Sequence, residues 1–377
     1  MRWFGRKAAR APARPQLTRT PVAWLGLGAS DVPRSYEVLV REGYERNAFA
    51  QRAVRIVAEG AGSAPINCRD GHDAVLGLLN GSSAGRQLTE TIATHLTLHG
   101  NAYVQTICDG DGRPVELIAL RPERVAVELG DDGWPVAHRY RVGEATLRFP
   151  VQDADGRPGL LHLKAMNPLD DHYGLGCLGA AAQAIAIHNA AGGWHRSLLD
   201  NAARPSGALV YDPGEPGAAL SAEQFARLKE EMAASFQGAA NAGRPMLLEG
   251  GLKWQPLSLT PADMDFAETR AAAAREIALA FGVPPMLLGM PGDNTYANYQ
   301  EANRALWRLT ILPLLARIID GLQGHLKAWW PDLSLEIDRD AIPALAADRE
   351  RLWSQVTMAH FLSDEEKRRM LGLDHGR

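Results

Sequence analysis

From Thr260 to Trp330 the sequence carries the periodicity of two long helices, separated by a segment too rich in glycine and proline to continue either one. The first has a defined start: Thr260 can cap the free N–H groups, Pro261 suits the first helical position, and Asp263 and Asp265 complement the positive end of the dipole. It stops at Gly282, followed by Val283, Pro284 and Pro285. Between those signals Met264, Ala267, Ala271, Ala274, Ala278 and Phe281 recur every three or four residues, a narrow stripe whose alanine middle lets another helix approach closely. Phe266 and Ile277 lie on a second flank, and the remaining face, with Asp265, Glu268, Thr269, Arg275 and Glu276, leans acidic. Two readings fit this pattern: one member of a ring of helices, or an ordinary amphipathic helix in the core of a single chain.

The second helix is expected from Tyr299 to Leu326, with Tyr299, Ala302, Leu306, Leu309, Ala316 and Ile319 on its apolar side and a kink at Pro313, where a hydrogen bond is lost. Arg308, Arg317 and Asp320 interrupt its apolar run, so it cannot span a bilayer. The loop between the helices offers one carboxylate, Asp293, and no histidine, cysteine or lysine, which is too little for catalysis.

A chain of 377 residues, 46% hydrophobic, is long enough for two or three globular domains at about 150 residues each. Forty basic against forty-four acidic residues give a net charge of -4, so any contact with nucleic acid has to be local or weak. Cys68, Cys108 and Cys177 are too few and too far apart for a disulfide framework or a zinc site, and point to a reducing compartment. Residues 1–30 hold six basic and no acidic residues with three prolines, and read as a flexible basic arm.

Along the chain, helices are expected at Tyr36 to Ala58, His72 to Leu79 and Leu88 to Leu98, the last ending at Gly100. Ala61 to Cys68 reads as a turn into a strand, and strands are expected at Ala102 to Ile107, Val115 to Leu120, Val125 to Leu129, His138 to Val142 and Leu160 to Lys164, with a hairpin across Asp109-Gly110-Asp111-Gly112. This is an α+β unit with mostly antiparallel pairing. His95 and His99 stand four apart on a helix, but Leu96 occupies the place where a metalloprotease helix has its glutamate. Gly174, Gly176 and Gly179 spell GxGxxG before a helix from Leu178 to Leu199. Nine residues (165–173) separate them from the preceding strand, and the acid at a suitable distance, Asp200, ends the helix itself, which fits a dinucleotide site poorly. Next come a strand from Ser206 to Tyr211, a helix from Ser221 to Phe236 opened by a Ser221…Gln224 capping box, and a hairpin of Met246 to Glu249 with Leu252 to Pro256. A compact unit is thus inserted between two long helices. A strand from Leu333 to Asp338, a helix from Ala341 to His360 and a short helix capped by Ser363…Glu366 close the chain.

In this order the chain resembles the portal proteins of tailed bacteriophages of the long-tailed siphophage type, or of the related gene transfer agents. The resemblance runs from about Tyr36 to Leu373. It is carried by His99-Gly100-Asn101-Ala102-Tyr103-Val104, Leu161-His162-Leu163-Lys164, Tyr173-Gly174-Leu175-Gly176, Arg204-Pro205-Ser206-Gly207, and Glu268-Thr269-Arg270 leading to Phe281-Gly282-Val283-Pro284-Pro285…Leu288-Gly289. One departure is Cys177-Leu178, where the family usually has a serine-proline pair. The resemblance implies a portal fold: a wing over residues 31–177, stem helices at 178–203 and 260–281, an α/β clip at 204–259, a tunnel loop at 282–298, a kinked helix at 299–330 and a C-terminal wing or crown segment at 331–377. It implies that Ala267, Ala271, Ala274 and Ala278 pack the stem, that Asp265, Glu268, Arg275 and Glu276 face a lumen, and that Gly289, Met290, Pro291, Gly292, Asp293, Asn294 and Thr295 form the tunnel loop. The implied assembly is a dodecameric ring at one capsid vertex of a virion or transfer-agent particle built in the bacterial cytoplasm. DNA enters through it by the work of the terminase and later leaves. The implied partners are the major capsid protein, the terminase large subunit, a head–tail adaptor and duplex DNA, with no cofactor, no metal and no catalytic residue. On the residues alone, a dinucleotide enzyme and an oligomeric scaffold without a DNA channel stay open.

Overall fold

The computed structural model describes residues 35–69, 71–83, 86–200, 207–211, 221–236, 252–256, 266–290 and 295–372. The basic arm, the expected cap from Thr260 to Asp265, the strand from Met246 to Glu249 and the loop residues Pro291 to Asn294 lie outside them.

The helix expected from Tyr36 to Ala58 is two helices, α1 (Tyr36–Val40) and α2 (Ala48–Ser63), with a π-helical turn at Arg41–Glu45 between them. The break has a local cause. Asn47 leaves the helical region and its side chain accepts from Ala50 N–H at 3.0 Å, capping α2 as asparagine prefers to do. There follow β1 (Ile66–Cys68), α3 (Asp73–Leu79), the two-residue strands β2 (Ser82–Ser83) and β3 (Arg86–Gln87), and α4 (Leu88–His99). The mixed region continues with β4 (Asn101–Cys108), β5 (Pro114–Leu120), β6 (Val125–Leu129), β7 (Pro135–Val142), β8 (Ala145–Pro150) and β9 (Leu160–Lys164). Two three-stranded antiparallel sheets result, in the orders β5-β4-β9 and β6-β7-β8. Strand β8 is absent from the sequence expectation because it is an exposed edge strand without an alternating apolar face. Its one signal is the two-residue turn Gly143-Glu144 that joins Val142 to Ala145.

The long helix α5 (Cys177–Asp200) leads to the inserted unit, where β10 (Gly207–Tyr211), α6 (Ala222–Phe236) and β11 (Leu252–Pro256) are described. The capping box of α6 is present, with Ser221 N–H donating to Gln224 and Gln224 N–H to Ser221. The partner of β11 is β10, paired antiparallel from Gly207 with Pro256 to Tyr211 with Leu252, so the strands flanking α6 close the unit at its base. The expected hairpin partner of β11, Met246 to Glu249, lies outside the described residues. Then come α7 (Phe266–Ala280), α8 (Tyr296–Leu306), α9 (Leu312–Leu326), β12 (Leu335–Ile337), α10 (Ala346–Met358) and α11 (Asp364–Met370). Strand β12 returns to pair with β1 across the chain. The capping box of α11 closes with Glu366 N–H donating to Ser363.

One main apolar core ties these parts together. Leu88, Ile92, Ala93 and Leu96 of α4 sit between Ala50, Val54, Val57 and Ala61 of α2 and Leu315, Ile318, Leu322 and Leu326 of α9. A smaller cluster of Tyr103, Leu120, Val125 and Leu160 joins the two sheets. Among the described residues no helix is long and apolar enough to cross a membrane.

Candidate functional site

The two long helices of the inserted-unit frame, α5 and α7, pack against each other. On α7 the buried residues are Ala273, Ala274, Ile277, Ala278 and Phe281; on α5 they include Leu178, Ala181, Ala184 and Ile185. Alanines on both sides allow a close approach of the two backbones. The buried face differs from the stripe read off the sequence. Ile277 is fully buried, Ala271 is half-buried and Ala267 is exposed, and α7 touches α2 as well as α5, which agrees with contacts on two flanks. Ala274 and Ala278, at 1% and 0% exposure, are therefore covered within a single chain. Glu268, Arg275 and Glu276 are exposed, and Asp265 lies outside the described residues.

A polar network unsuspected in the sequence pins this helix pair to α2. Arg270 Nε donates to His188 Nε2 at 3.2 Å, Asn47 Nδ2 donates to Asn189 Oδ1 at 2.9 Å, and Asn189 Nδ2 donates to Glu42 O at 3.0 Å. Burial and the Arg270 charge hold the His188 imidazole below its ordinary pKa, so it is the neutral acceptor the network needs. Arg270 closes the Glu268-Thr269-Arg270 motif, which gives that motif a structural reason.

After α7 the chain turns at Gly282, with φ +65°, where Thr310 Oγ1 donates to the Gly282 carbonyl at 2.6 Å. A Cβ at Gly282 would meet that same hydroxyl at 2.7 Å. A 3-10 turn at Pro285–Leu288 follows, and Met290 is buried at 4% exposure. Thr295 is the N-cap of α8, its Oγ1 accepting from Asn298 N–H at 3.3 Å. The second helix thus starts at Tyr296, three residues before Tyr299, because threonine in a cap position outcompetes its use as a loop-tip residue. Met290 and Thr295 are anchors. Between them, Pro291, Gly292, Asp293 and Asn294 lie outside the described residues.

Between α8 and α9 the ladder widens into a π-helical turn at Trp307–Ile311, where Leu312 N–H reaches Trp307 O. Pro313 stands in the first turn of α9, immediately after this turn, so its missing N–H falls where the hydrogen-bond register changes.

The GxGxxG pattern has a packing explanation. A Cβ at Gly174 would lie 2.6 Å from Ala165 N and one at Gly176 would lie 2.7 Å from the Leu98 carbonyl carbon, while Gly179 has nothing within 4 Å. Gly100, with φ +82°, ends α4 and faces the same crossing, where a Cβ would meet Gly174 C at 2.7 Å. Two backbones cross without side chains between them. Asn101, fully buried, locks the crossing: its Oδ1 accepts from Gly174 N–H at 2.8 Å and from His162 Nε2 at 3.0 Å, and its Nδ2 donates to Gly174 O at 3.2 Å. Tyr173 OH accepts from Val127 N–H at 2.9 Å. The motifs around His99, Leu161 and Tyr173 are one junction. His99 serves it through Asn101, 3.0 Å away, and through an edge contact to Tyr36, so His99 is used in packing. Among the described residues no three His, Cys, Asp or Glu side chains could hold a metal ion.

Beside the junction, Tyr103 stacks on His162 at 4.3 Å and touches His138 edge-on, and the Tyr103 hydroxyl and both nitrogens of His138 and His172 are buried without hydrogen-bond partners. Burial pushes His162 down to about 3, helped by the neighbouring His138 and Lys164, and pushes His95 and His325 down to about 4. Each binds its proton more weakly folded than unfolded, where the value is 6.5. Their stabilising contribution is complete above pH 6.5, is lost as pH falls below it, and goes on being lost until the folded values are reached. By pH 5 each costs about 2 kcal/mol. A melting curve measured from pH 7 to 4.5 should therefore fall steeply, and His162→Gln should flatten the fall; a pH-independent melting temperature contradicts this.

Comparison with known proteins follows the same lines. The chain matches the phage portal protein family over residues 48–372. The chain belongs to that family. Among the similar portal-family sequences, the probable portal protein of Streptomyces phage phiC31 is 31% identical, covering 71% of this chain and 58% of that one. A protein of Rickettsia felis is 39% identical over 88% of both chains. Among solved structures, a chain in the neck of a native gene transfer agent particle, computed with C12 symmetry, is 48% identical with a TM-score of 0.71, covering 92% of this portal-family chain and 95% of that one.

Proposed function

We propose that this chain is the portal of a gene transfer agent or phage-like particle: twelve copies form a ring at one vertex, and duplex DNA passes through it, driven in by the terminase and later released. The observation that carries this is the 48% identity to a chain of a C12-symmetric particle neck. In that reading residues 31–177 with 331–377 are the wing and its C-terminal segment, α5 and α7 the stem, residues 204–259 the clip, and the segment from Gly282 to Thr295 the tunnel loop. The major capsid protein, a head–tail adaptor and the terminase large subunit are its partners, in a particle assembled in the bacterial cytoplasm. The chain binds no cofactor and catalyses nothing; the terminase does the work. The exposed faces support this division. Glu268, Arg275 and Glu276 are solvent-exposed on a helix whose opposite side is buried, the placement expected of a lumen of low phosphate affinity. The bend assigned to Pro313 belongs to the same reading, letting α8 and α9 follow the ring wall.

The stem alanines test the ring. Ala267 is exposed in the single chain while Ala274 is buried in it. Ala274→Leu should destabilise the chain itself by about 1 to 3 kcal/mol through overpacking. Ala267→Leu should leave the melting of the dissociated chain unchanged and impair ring closure. Native mass of both variants checks this, and an intact ring in Ala267→Leu would remove that residue from the subunit seam.

A further inference from the structure

The outer face of the β6-β7-β8 sheet is basic in a chain that is acidic overall. Arg139 of β7 stands directly opposite Arg148 of β8 in the register, and Arg141 lies two residues further along the same face, about 7 Å away. Like charges directly opposite on neighbouring strands destabilise a sheet. One carboxylate relieves both: Glu128 Oε1 is 3.0 Å from Arg148 Nη2, and its Oε2 is 3.7 Å from Arg139 Nε. Glu123 pairs with Arg121 at 3.8 Å. The other two guanidiniums have no such relief. Arg141 donates from Nε to Gly143 O at 3.2 Å, and neither it nor Arg124 makes an ion pair among the described residues; the exposed Glu144 on the adjoining turn pairs with neither. Asp131 and Asp132 stand at the opposite turn of β6 and β7. Arg124, Arg139 and Arg141 border an open depression of about 580 Å³ with Thr146 and Glu123 at its edge. No large apolar side chain faces it beyond Val125, so the surface lacks the aromatic or aliphatic anchors of a protein–protein hot spot.

We propose that this sheet face is a docking site for the phosphate backbone of duplex DNA, with Arg124 and Arg141 as its uncompensated contacts beside the Arg139 and Arg148 pair that Glu128 bridges. The inference rests on the portal reading, which is what brings DNA to the particle. It adds to that reading a contact carried on the sheet region rather than on the stem helices. Planar guanidinium forks suit phosphate, and a row of them at strand spacing follows a backbone without reading its sequence. Such a site retains DNA that has entered, whereas a lumen must let it slide.

The test uses the assembled full-length chain and a labelled 30-base-pair duplex, with affinity measured by fluorescence anisotropy over a salt series. Arg124→Ser with Arg141→Ser should weaken binding roughly tenfold at low salt and reduce the slope of log affinity against log salt by about 2, since each phosphate contact contributes about 0.9. Arg351→Ser with Arg368→Ser, which removes the same charge from α10 and α11, should change the slope far less. Unchanged affinity and slope in the first pair, or an equal loss in the second, overturns the proposal. So does loss of binding to an acidic polypeptide with duplex binding intact, which would assign the face to a protein partner. Ring mass recorded on the same samples keeps the two readings apart: an intact ring with unaltered DNA binding sinks the docking site alone, and a wild-type chain that forms no ring sinks the portal reading.

Discussion

Gly176→Ala is expected to destabilise the chain by about 4 kcal/mol or more, enough to lower the melting temperature by about 10 °C or to prevent folding, whereas Gly179→Ala three residues on leaves it unchanged or slightly raised. The added methyl at 176 would sit 2.7 Å from the Leu98 carbonyl carbon and 2.9 Å from Gly100 N, against backbone that Asn101 holds on both sides and that cannot yield as a side chain could. At 179, in the first turn of α5, nothing lies within 4 Å, and alanine in place of glycine in a helix is worth up to about 1 kcal/mol. A dinucleotide fingerprint would give a different pattern, since its third glycine is needed for close helix–strand packing. Thermal unfolding of the two variants side by side decides between the accounts. Equal losses at both positions would revive the nucleotide reading.

Shortening the tunnel loop is the second large effect. Replacing Pro291, Gly292, Asp293 and Asn294 by two glycines spares the buried Met290 and the Thr295 cap, so both helices keep their ends. Under the proposed tunnel-loop role, in which the tip closes as a collar on the moving polyanion, ring assembly and terminase docking should stay intact while the DNA packaged or retained per particle falls. The loop holds one carboxylate and no other titratable group, so no chemistry is removed with it. Equal DNA content in variant and wild-type particles, measured on the same capsids, would refute the collar.

What the sequence disclosed follows from which interactions are local. The capping boxes of Ser221 and Ser363 and the stop at Gly282 are set by residues a few positions apart and stand where they were expected. Partner choice is different. The alanine periodicity of α7 shows that one face is covered, but not that α5 covers it. Strand β11 pairs with β10, about forty residues away, a partner that no local signal announces. The junction on Asn101 draws on His162 and Gly174, 61 and 73 residues distant, and so was readable only as separate motifs. Thr295 is legible inside the sequence, since a threonine before Tyr296-Ala297-Asn298 is a cap signal even when it follows a proline-glycine segment.

The portal account is tested most directly by the mass and shape of the purified assembly, measured on the full-length chain by native mass spectrometry with particle images of the same sample. Twelve copies of a 40.9 kDa chain give about 490 kDa in a closed ring with an axial channel, and that is the expected result. A monodisperse 40.9 kDa monomer, or a closed assembly without an axial opening, would contradict it.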